Sequence, residues 1–251
     1  MKTLYGNGLD DISNLTDFYH ENGYIFISDY LNKSGLLAFE SEFIDCCEVA
    51  GIKGNSFSEI CMNLNANDTE KLYELHMTTM KLVSFYPTAI RARSLIDKIT
   101  GGKPVLSISG GYLIGLPGDS RLVYDYHQES NYMTGFNDIF NVHYPLVVKA
   151  DETNGSMSIL PGSHKLGTLE YHKSRVSENS LTDLRPENMD KILGQFEEFQ
   201  CVLNLGDIII FHKDLIHRSN HNFSRECRPA GIHRFTTSFY GSWTRAKPDE
   251  L

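Results

Sequence analysis

One short stretch, Tyr126-His127-Gln128-Glu129, offers an imidazole and a carboxylate two positions apart. In an extended strand, residues two apart share a face, so His127 and Glu129 would present both groups to one point. A second source of donors is Phe211-His212-Lys213-Asp214-Leu215-Ile216-His217, directly after an apolar run of strand character. Two histidines and one carboxylate on one face of a metal leave the opposite positions open. That is the donor set of non-haem Fe(II) oxygenases, in which 2-oxoglutarate chelates through two positions and O₂ takes a third. Taken alone, the His-x-Glu triplet is equally compatible with an ordinary surface pair, and His212 competes with His217 for the third position. His212, His217 and His221 can also be read as a zinc cluster, but their spacing matches no common zinc pattern.

Such a site needs a scaffold, and the composition allows one. The chain has 251 residues, 41% hydrophobic and 22% charged, which suits a folded globular protein with one well-filled core. A formal net charge of -9 argues against a nucleic-acid partner. Cys46, Cys47, Cys61, Cys201 and Cys227 are odd in number and form no CxxC pair. Reduced thiols in a cytoplasmic compartment are therefore expected rather than a disulfide framework. Residues 1–11 show no apolar signal segment, and no run approaches the roughly 20 apolar residues of a membrane span, so no membrane association is expected. No pattern in the chain specifies an oligomeric state.

The first part of the chain reads as mostly helical. Residues 15–21 form a short amphipathic stretch ending near Gly23, and 24–27 are apolar and β-prone. Ser34 can cap a helix running through Cys47, Asp68 opens another, and Pro87 fits the first turn of a third that ends at Gly101-Gly102. After Lys103 the runs become short, β-branched and separated by turn residues: 105–109, 112–116, 139–148, 156–160, 202–205, 208–211 and 235–240. Many short strands predict a β-sandwich or barrel. Asn154-Gly155 and Leu205-Gly206-Asp207 read as turns. The expectation is a single domain over 1–251, with a mostly helical part at 1–102 wrapped around a β core at 103–251. The polar, irregular stretches 55–68 and 171–195 are expected to be long loops that act as lids and set specificity.

Taken together, the motifs resemble the phytanoyl-CoA dioxygenase family. They are His127-Gln128-Glu129, then Asn154-Gly155 with Pro161-Gly162-Ser163-His164-Lys165 and Gly167, then Gly206-Asp207 with Phe211-His212, then His217-Arg218-Ser219-Asn220, in the family's order and spacing. Glu21-Asn22-Gly23-Tyr24 is similar to the family's opening segment, so the resemblance spans most of the chain. It implies a double-stranded β-helix (jelly-roll, cupin-like) core with flanking α-helices, and assigns His127, Glu129 and His217 as the ligands of Fe(II). Arg228, eleven residues beyond His217, corresponds to the residue that binds the far carboxylate of 2-oxoglutarate. Arg225 competes for this role, but the spacing favours Arg228, and Arg234 falls on the next strand. Ser219 corresponds to a further contact to that carboxylate, and Tyr144 to an aromatic near the cosubstrate. Gln128, His164, His172 and His212 are assigned supporting roles. Of the aromatics Tyr124, Tyr126, Tyr132, Phe136 and Phe140, most are expected in the core and one or two on a substrate pocket.

One position departs from the family pattern: Glu129 stands where the family usually has Asp, so a longer side chain must fold back to reach the same metal position. A halogenase would leave that position small for a halide, so Glu129 argues for oxygenation. The implied activity is hydroxylation of an unactivated C–H bond of a small organic metabolite, with Fe(II), 2-oxoglutarate and O₂, releasing succinate and CO₂. The alternatives are desaturation, cyclisation or epimerisation with the same cofactors, or a non-catalytic jelly-roll binding protein.

Overall fold

The computed structural model describes residues 4–5, 12–178 and 182–237. Its centre is set by strands buried on both faces. In β9 (Ile208–His212), Ile208 and Ile210 enter one apolar cluster while Ile209 and Phe211 enter another. The same split occurs in β2 (Tyr24–Ser28), where Ile25 and Ile27 face one way and Tyr24 and Phe26 the other. Alternate residues of a strand point to opposite faces. A strand covered on both sides must therefore be apolar throughout, which is why these two runs were readable as strands.

These strands belong to a six-stranded sheet of order β1-β2-β9-β4-β11-β3, where β1 is Leu4–Tyr5, β3 is Leu106–Gly115, β4 is Phe140–Pro145 and β11 is Arg228–Thr236. All its neighbours pair antiparallel except β1 with β2. A three-stranded sheet faces it, with β5 (Met157–Ile159) between β10 (His217–Ser219) and β8 (Phe199–Gln200). Tyr24, Phe26, Ile209 and Phe211 from the larger sheet and Met157 and Ile159 from the smaller fill the space between them. This is the jelly-roll core. A separate hairpin pairs β6 (Tyr171–Ser174) with β7 (Asp183–Pro186), followed by the short helix α6 (Met189–Leu193).

Helices cover the outer face of the larger sheet: α1 (Ile12–Asn22), α2 (Lys33–Val49), α3 (Phe57–Asn67), α4 (Thr69–Thr79) and α5 (Phe85–Ile99). Phe39, Phe43, Phe57, Leu95 and Ile96 from these helices pack with Tyr112, Val142, Tyr144 and Ile210 from the sheet. Asp68 caps α4 by accepting from Lys71 N, as its position suggested, and Gly101 and Gly102 follow α5 at φ 68° and 79°. Among the described residues no helix is long and apolar enough to cross a membrane. All five cysteines are free.

Several local expectations are corrected. The cap of α2 is Asn32, whose side chain accepts from Ser34 N, so Ser34 lies inside the helix. Residues 55–68 are not a loop: Ser56 caps α3 by accepting from Glu59 N, and Phe57, Ile60, Cys61 and Leu64 are buried at helical spacing. The separate runs expected at 105–109 and 112–116 join in the single strand β3, because Gly110 and Gly111 stay in register with His233 and Ile232. The last strand begins at Arg228 rather than at 235, and residues 238–240 lie outside the described residues. Residues 202–205 make only an isolated bridge through Leu203 to Ala150. The sheet also crosses the expected boundary at 102, since β2 pairs directly with β9.

Gly231 shows how tightly the central strands fit. It sits in mid-β11 opposite Tyr144, and a Cβ there would overlap the tyrosine ring. Gly231→Ala is expected to destabilise the protein by about 1–3 kcal/mol through overpacking. Urea unfolding should show a lower midpoint with an unchanged slope; an unmoved midpoint would mean that Tyr144 is free to swing away.

Candidate metal centre

The two histidines are brought together by backbone pairing. His127 N donates to His217 O at 2.9 Å, and His217 N donates to His127 O at 3.1 Å. This is one antiparallel bridge, flanked by backbone hydrogen bonds from Ser219 N to Tyr124 O at 2.9 Å and from Ser130 N to Lys213 O at 3.2 Å. Residues directly opposite in such a pair project to the same face, and the two imidazole centroids are 4.1 Å apart. The strand expected through 127–129 is not present: Gln128 is extended, and Glu129 opens a 3₁₀ turn, Glu129–Asn131. The turn carries the longer carboxylate back to the histidines. One donor atom from each of His127, Glu129 and His217 lies within 4.8 Å of the others, and all three residues are buried.

Both imidazoles are oriented in the same way. His127 Nδ1 lies 2.7 Å from Asp125 O, and His217 Nδ1 lies 2.9 Å from Leu215 O. A carbonyl only accepts, so each Nδ1 carries a proton and Nε2 is the nitrogen each ring can offer to a metal. A metal-ligating imidazole is held in this state by just such a partner. Burial, then the neighbouring His127, pushes His217 well below the usual histidine range, so it is neutral, the form that binds a metal.

Gln128, between the two ligands, is fully buried and acts as a brace. Its Nε2 donates to Gly167 O at 2.9 Å and Asp214 O at 2.8 Å, and its Oε1 accepts from Leu169 N at 2.8 Å. Ser163 Oγ accepts from Ile216 N at 2.9 Å, which ties the Pro161-Gly162-Ser163-His164 turn to the approach of His217.

A cavity of about 350 Å³ opens onto the triad. At one end lies Arg228, buried, with Nε donating to Asn154 O at 3.0 Å and Nη1 without a partner. Burial lowers its pKa to about 10, so it stays charged at neutral pH. Gly115 leaves room for the guanidinium, since a Cβ there would stand 3.1 Å from Nη2. Ser219 lines the same cavity. So do His143, whose Nε2 has no partner, and Asn141, whose amide is unpartnered. Burial, then Arg228 and Arg234, pushes His143 down to about 3, so it is neutral. Buried polar groups are normally satisfied. Orphans that share a cavity with an unneutralised guanidinium mark a site for a polar, anionic ligand, and a carboxylate fits the fork of Arg228.

Other candidates fall elsewhere. Tyr144 is not on the cavity wall. It alternates with His143 along β4, so it faces the helical layer, fully buried, with its hydroxyl 3.1 Å from His233 Nε2. His143 is the residue of that strand that reaches the site. Arg225 is exposed and away from the cavity, and His212 packs against His164 at 5.3 Å between centroids. His212, His217 and His221 do not assemble; the triad is the one group of metal-ligand type among the described residues. Tyr124 and Tyr132 flank His127, with centroids 5.8 and 5.5 Å from its ring, and both line the cavity. None of the described residues of either expected lid does so. Instead the β6–β7 hairpin braces the site from behind: Leu184 N donates to the Tyr132 hydroxyl at 2.9 Å, and Arg185 pairs with Asp125 at 2.6 Å.

Sequence reasoning missed Asn141 and His143, and set Arg234 aside. Arg234 lies six residues beyond Arg228 on the same strand, and an even spacing puts both on one face. Tracing β11 from Arg228 would have placed it in the cavity.

Against known proteins, the sequence pattern of the family described as phytanoyl-CoA dioxygenase (PhyH) matches residues 19–230. The peroxisomal phytanoyl-CoA dioxygenase of Mus musculus is 24% identical over 230 residues, covering 85% of this chain. The chain spans about 64% of that relative's length. The epimerase SnoN, solved in complex with Fe3+, alpha ketoglutarate and nogalamycin RO, is 14% identical with a TM-score of 0.61, over 97% of this chain and 94% of its own. The non-heme alpha ketoglutarate dependent carbocyclase SnoK from nogalamycin biosynthesis is 17% identical, also at 0.61, over 94% and 87%. At these identities both structures speak to the fold.

Two outcomes are expected from the site's polar groups. Gln128→Leu leaves Gly167 O, Asp214 O and Leu169 N without partners and should cost at least about 3 kcal/mol, at roughly 1–3 kcal/mol per orphaned group; a variant as stable as the parent in urea would remove the brace. The second concerns pH. An unfolded histidine titrates near 6.5 and His143 near 3. Below pH 6.5 the unfolded state takes up a proton that the folded state refuses, so stability is full above that pH and falls below it. His143 alone should contribute about 1.4 kcal/mol per pH unit between roughly pH 6 and 4. Unfolding free energies measured across that range for the metal-free protein and for His143→Asn should differ in slope by one proton. Parallel curves would mean that His143 is hydrated.

Proposed function

The chain belongs to the phytanoyl-CoA dioxygenase family, and from that premise we propose that it is an Fe(II)- and 2-oxoglutarate-dependent oxygenase that hydroxylates an unactivated C–H bond of a small organic molecule. The observation that carries this reading is the meeting, in one cavity, of a buried His-Glu-His set and a buried arginine with no anionic partner.

The bound metal, with 2-oxoglutarate and O₂, supplies the oxidant, while the cosubstrate becomes succinate and CO₂. The chain's own residues hold and orient. His127 and His217 offer Nε2, and Glu129 a carboxylate oxygen, to the metal. Arg228 and Ser219 take the far carboxylate of 2-oxoglutarate, which would neutralise the one cation on the cavity wall left without an acid. Leu113, Met157 and Phe211 keep water away, and Tyr124 and Tyr132 flank the metal position where a substrate would lie. The five free cysteines suit a reducing compartment, and a cytoplasmic location fits them.

An epimerase and a carbocyclase share this fold, so the second reading keeps the same machinery with a different outcome, ring closure or epimerisation. Where the substrate sits decides between them. Products formed under ¹⁸O₂ separate the two: hydroxylation places one labelled oxygen in the product, and the other outcomes place none.

Anaerobic titration of the protein with Fe(II) and 2-oxoglutarate should produce a visible charge-transfer band. The band should be absent in His127→Ala. Arg228→Gln should require at least about 30-fold more 2-oxoglutarate, in line with roughly 2 kcal/mol or more for removing one partner of a buried charge pair. A folded protein that binds neither ligand would turn the reading toward a non-catalytic binding module.

A further inference from the structure

Glu129 is held by a partner that neither the motif nor the family assignment names. Arg234 brings Nε to 2.7 Å from Glu129 Oε1, and its Nη2 donates to Oε2 at 3.3 Å. One guanidinium thus faces both oxygens of the carboxylate. The Nε contact is an ionic approach rather than an aimed hydrogen bond.

We propose that Arg234 is the positioning residue that makes a glutamate workable at this metal position. The proposal rests on the reading of Glu129 as a metal ligand. Glutamate has one more rotatable bond than aspartate and so more freedom to lose when it is fixed. Glu129 also sits at the start of a 3₁₀ turn, not within a paired strand. Arg234 comes from β11, which is hydrogen-bonded to β3 on one side and β4 on the other, and its Nη1 donates to Ser109 Oγ at 3.4 Å. A rigid strand thereby fixes a side chain that a turn leaves loose. The carboxylate has two oxygens, so one can serve a metal while the other stays with the fork.

The charges around the cavity agree. Arg218 is neutralised by Glu198 at 2.6 Å, and Arg228 has no acid beside it. Arg234 alone among these arginines spends its charge on a triad member. A role in holding a substrate anion would leave Glu129 buried without its counter-ion, a costly state.

The test is a double-mutant cycle read by Co(II) binding, followed through the cobalt absorption bands without turnover. Arg234→Gln should weaken Co(II) binding about 10–100-fold, the usual range for losing a group that orients a ligand. In a Glu129→Asp background the same change should cost less than about threefold, because the shorter carboxylate no longer depends on the fork. Arg234→Lys keeps the charge without the fork and should fall between; if the glutamine variant does not fold, the lysine variant completes the cycle. Equal losses in both backgrounds, or unchanged Co(II) affinity, would overturn the proposal while leaving the metal reading intact. A wild-type protein that binds no Co(II) would overturn both.

Discussion

The reciprocal backbone hydrogen bonds between His127 and His217 are the constraint on which the site depends. They make the separation of the two imidazoles a property of strand pairing rather than of side-chain packing, and the antiparallel geometry sends both rings to one side. Once that bridge exists, the remaining demands are local. Gln128 cannot also face the cavity, so it turns away and bonds the backbone at Gly167, Leu169 and Asp214. Glu129 has to return to the face that Gln128 left, and a tight turn does this where a continued strand would have run past. On the other side, β10 carries His217 only because β5 pairs with it, and β5 leads straight into the turn that anchors Ile216 through Ser163.

The second organising feature is the distribution of charge on β11. Two arginines on one face of one strand reach the same cavity, and they are in opposite electrostatic states. Arg234 is matched by Glu129, while Arg228 is buried with nothing anionic near it. An unmatched buried guanidinium destabilises the folded chain, and its persistence is understandable if a ligand supplies the missing charge. Neutral His143 and unpartnered Asn141 beside it follow the same logic, since each keeps a polar atom free at a cost in stability. The unpartnered polar atoms of Asn141, His143 and Arg228 thus share one cavity, where a carboxylate would fit.

Which parts were legible follows from where the signal lies. Motif order and spacing singled out His127, Glu129, His217 and Arg228, which the structure brings to one cavity, although the strand period first invoked for His127 and Glu129 is not what unites them. Tyr144 was misplaced by one residue: on β4 the alternate positions Asn141 and His143 look into the cavity, and the aromatic belongs to the helical side. The start of β11 was not legible because Arg228-Pro229-Ala230-Gly231 lacks β-branched residues, and with it went the link from Arg228 to Arg234. Helix α3 was legible in principle, since Phe57, Ile60, Cys61 and Leu64 keep helical spacing. The serines and asparagines of its outer face drew attention away from that stripe.

Rigidity is distributed unevenly around the cavity, and this bears on how substrate preference can vary. The two histidines are pinned by backbone pairing, and both arginines stand on a strand bonded on both sides, so this end of the cavity is preorganised. The wall flanking His127 is different. Tyr132 follows a 3₁₀ turn, is partly exposed, and has its hydroxyl fixed only from the β6–β7 hairpin through Leu184 and Asp183. Leu184 and Asp183 thus set the position of a ring on the cavity wall without lining the cavity themselves. The same hairpin also reaches the triad: Asp183 and Arg185 hold Asp125, whose carbonyl orients His127, so a change there acts on the cavity wall through Tyr132 and on the first histidine through Asp125.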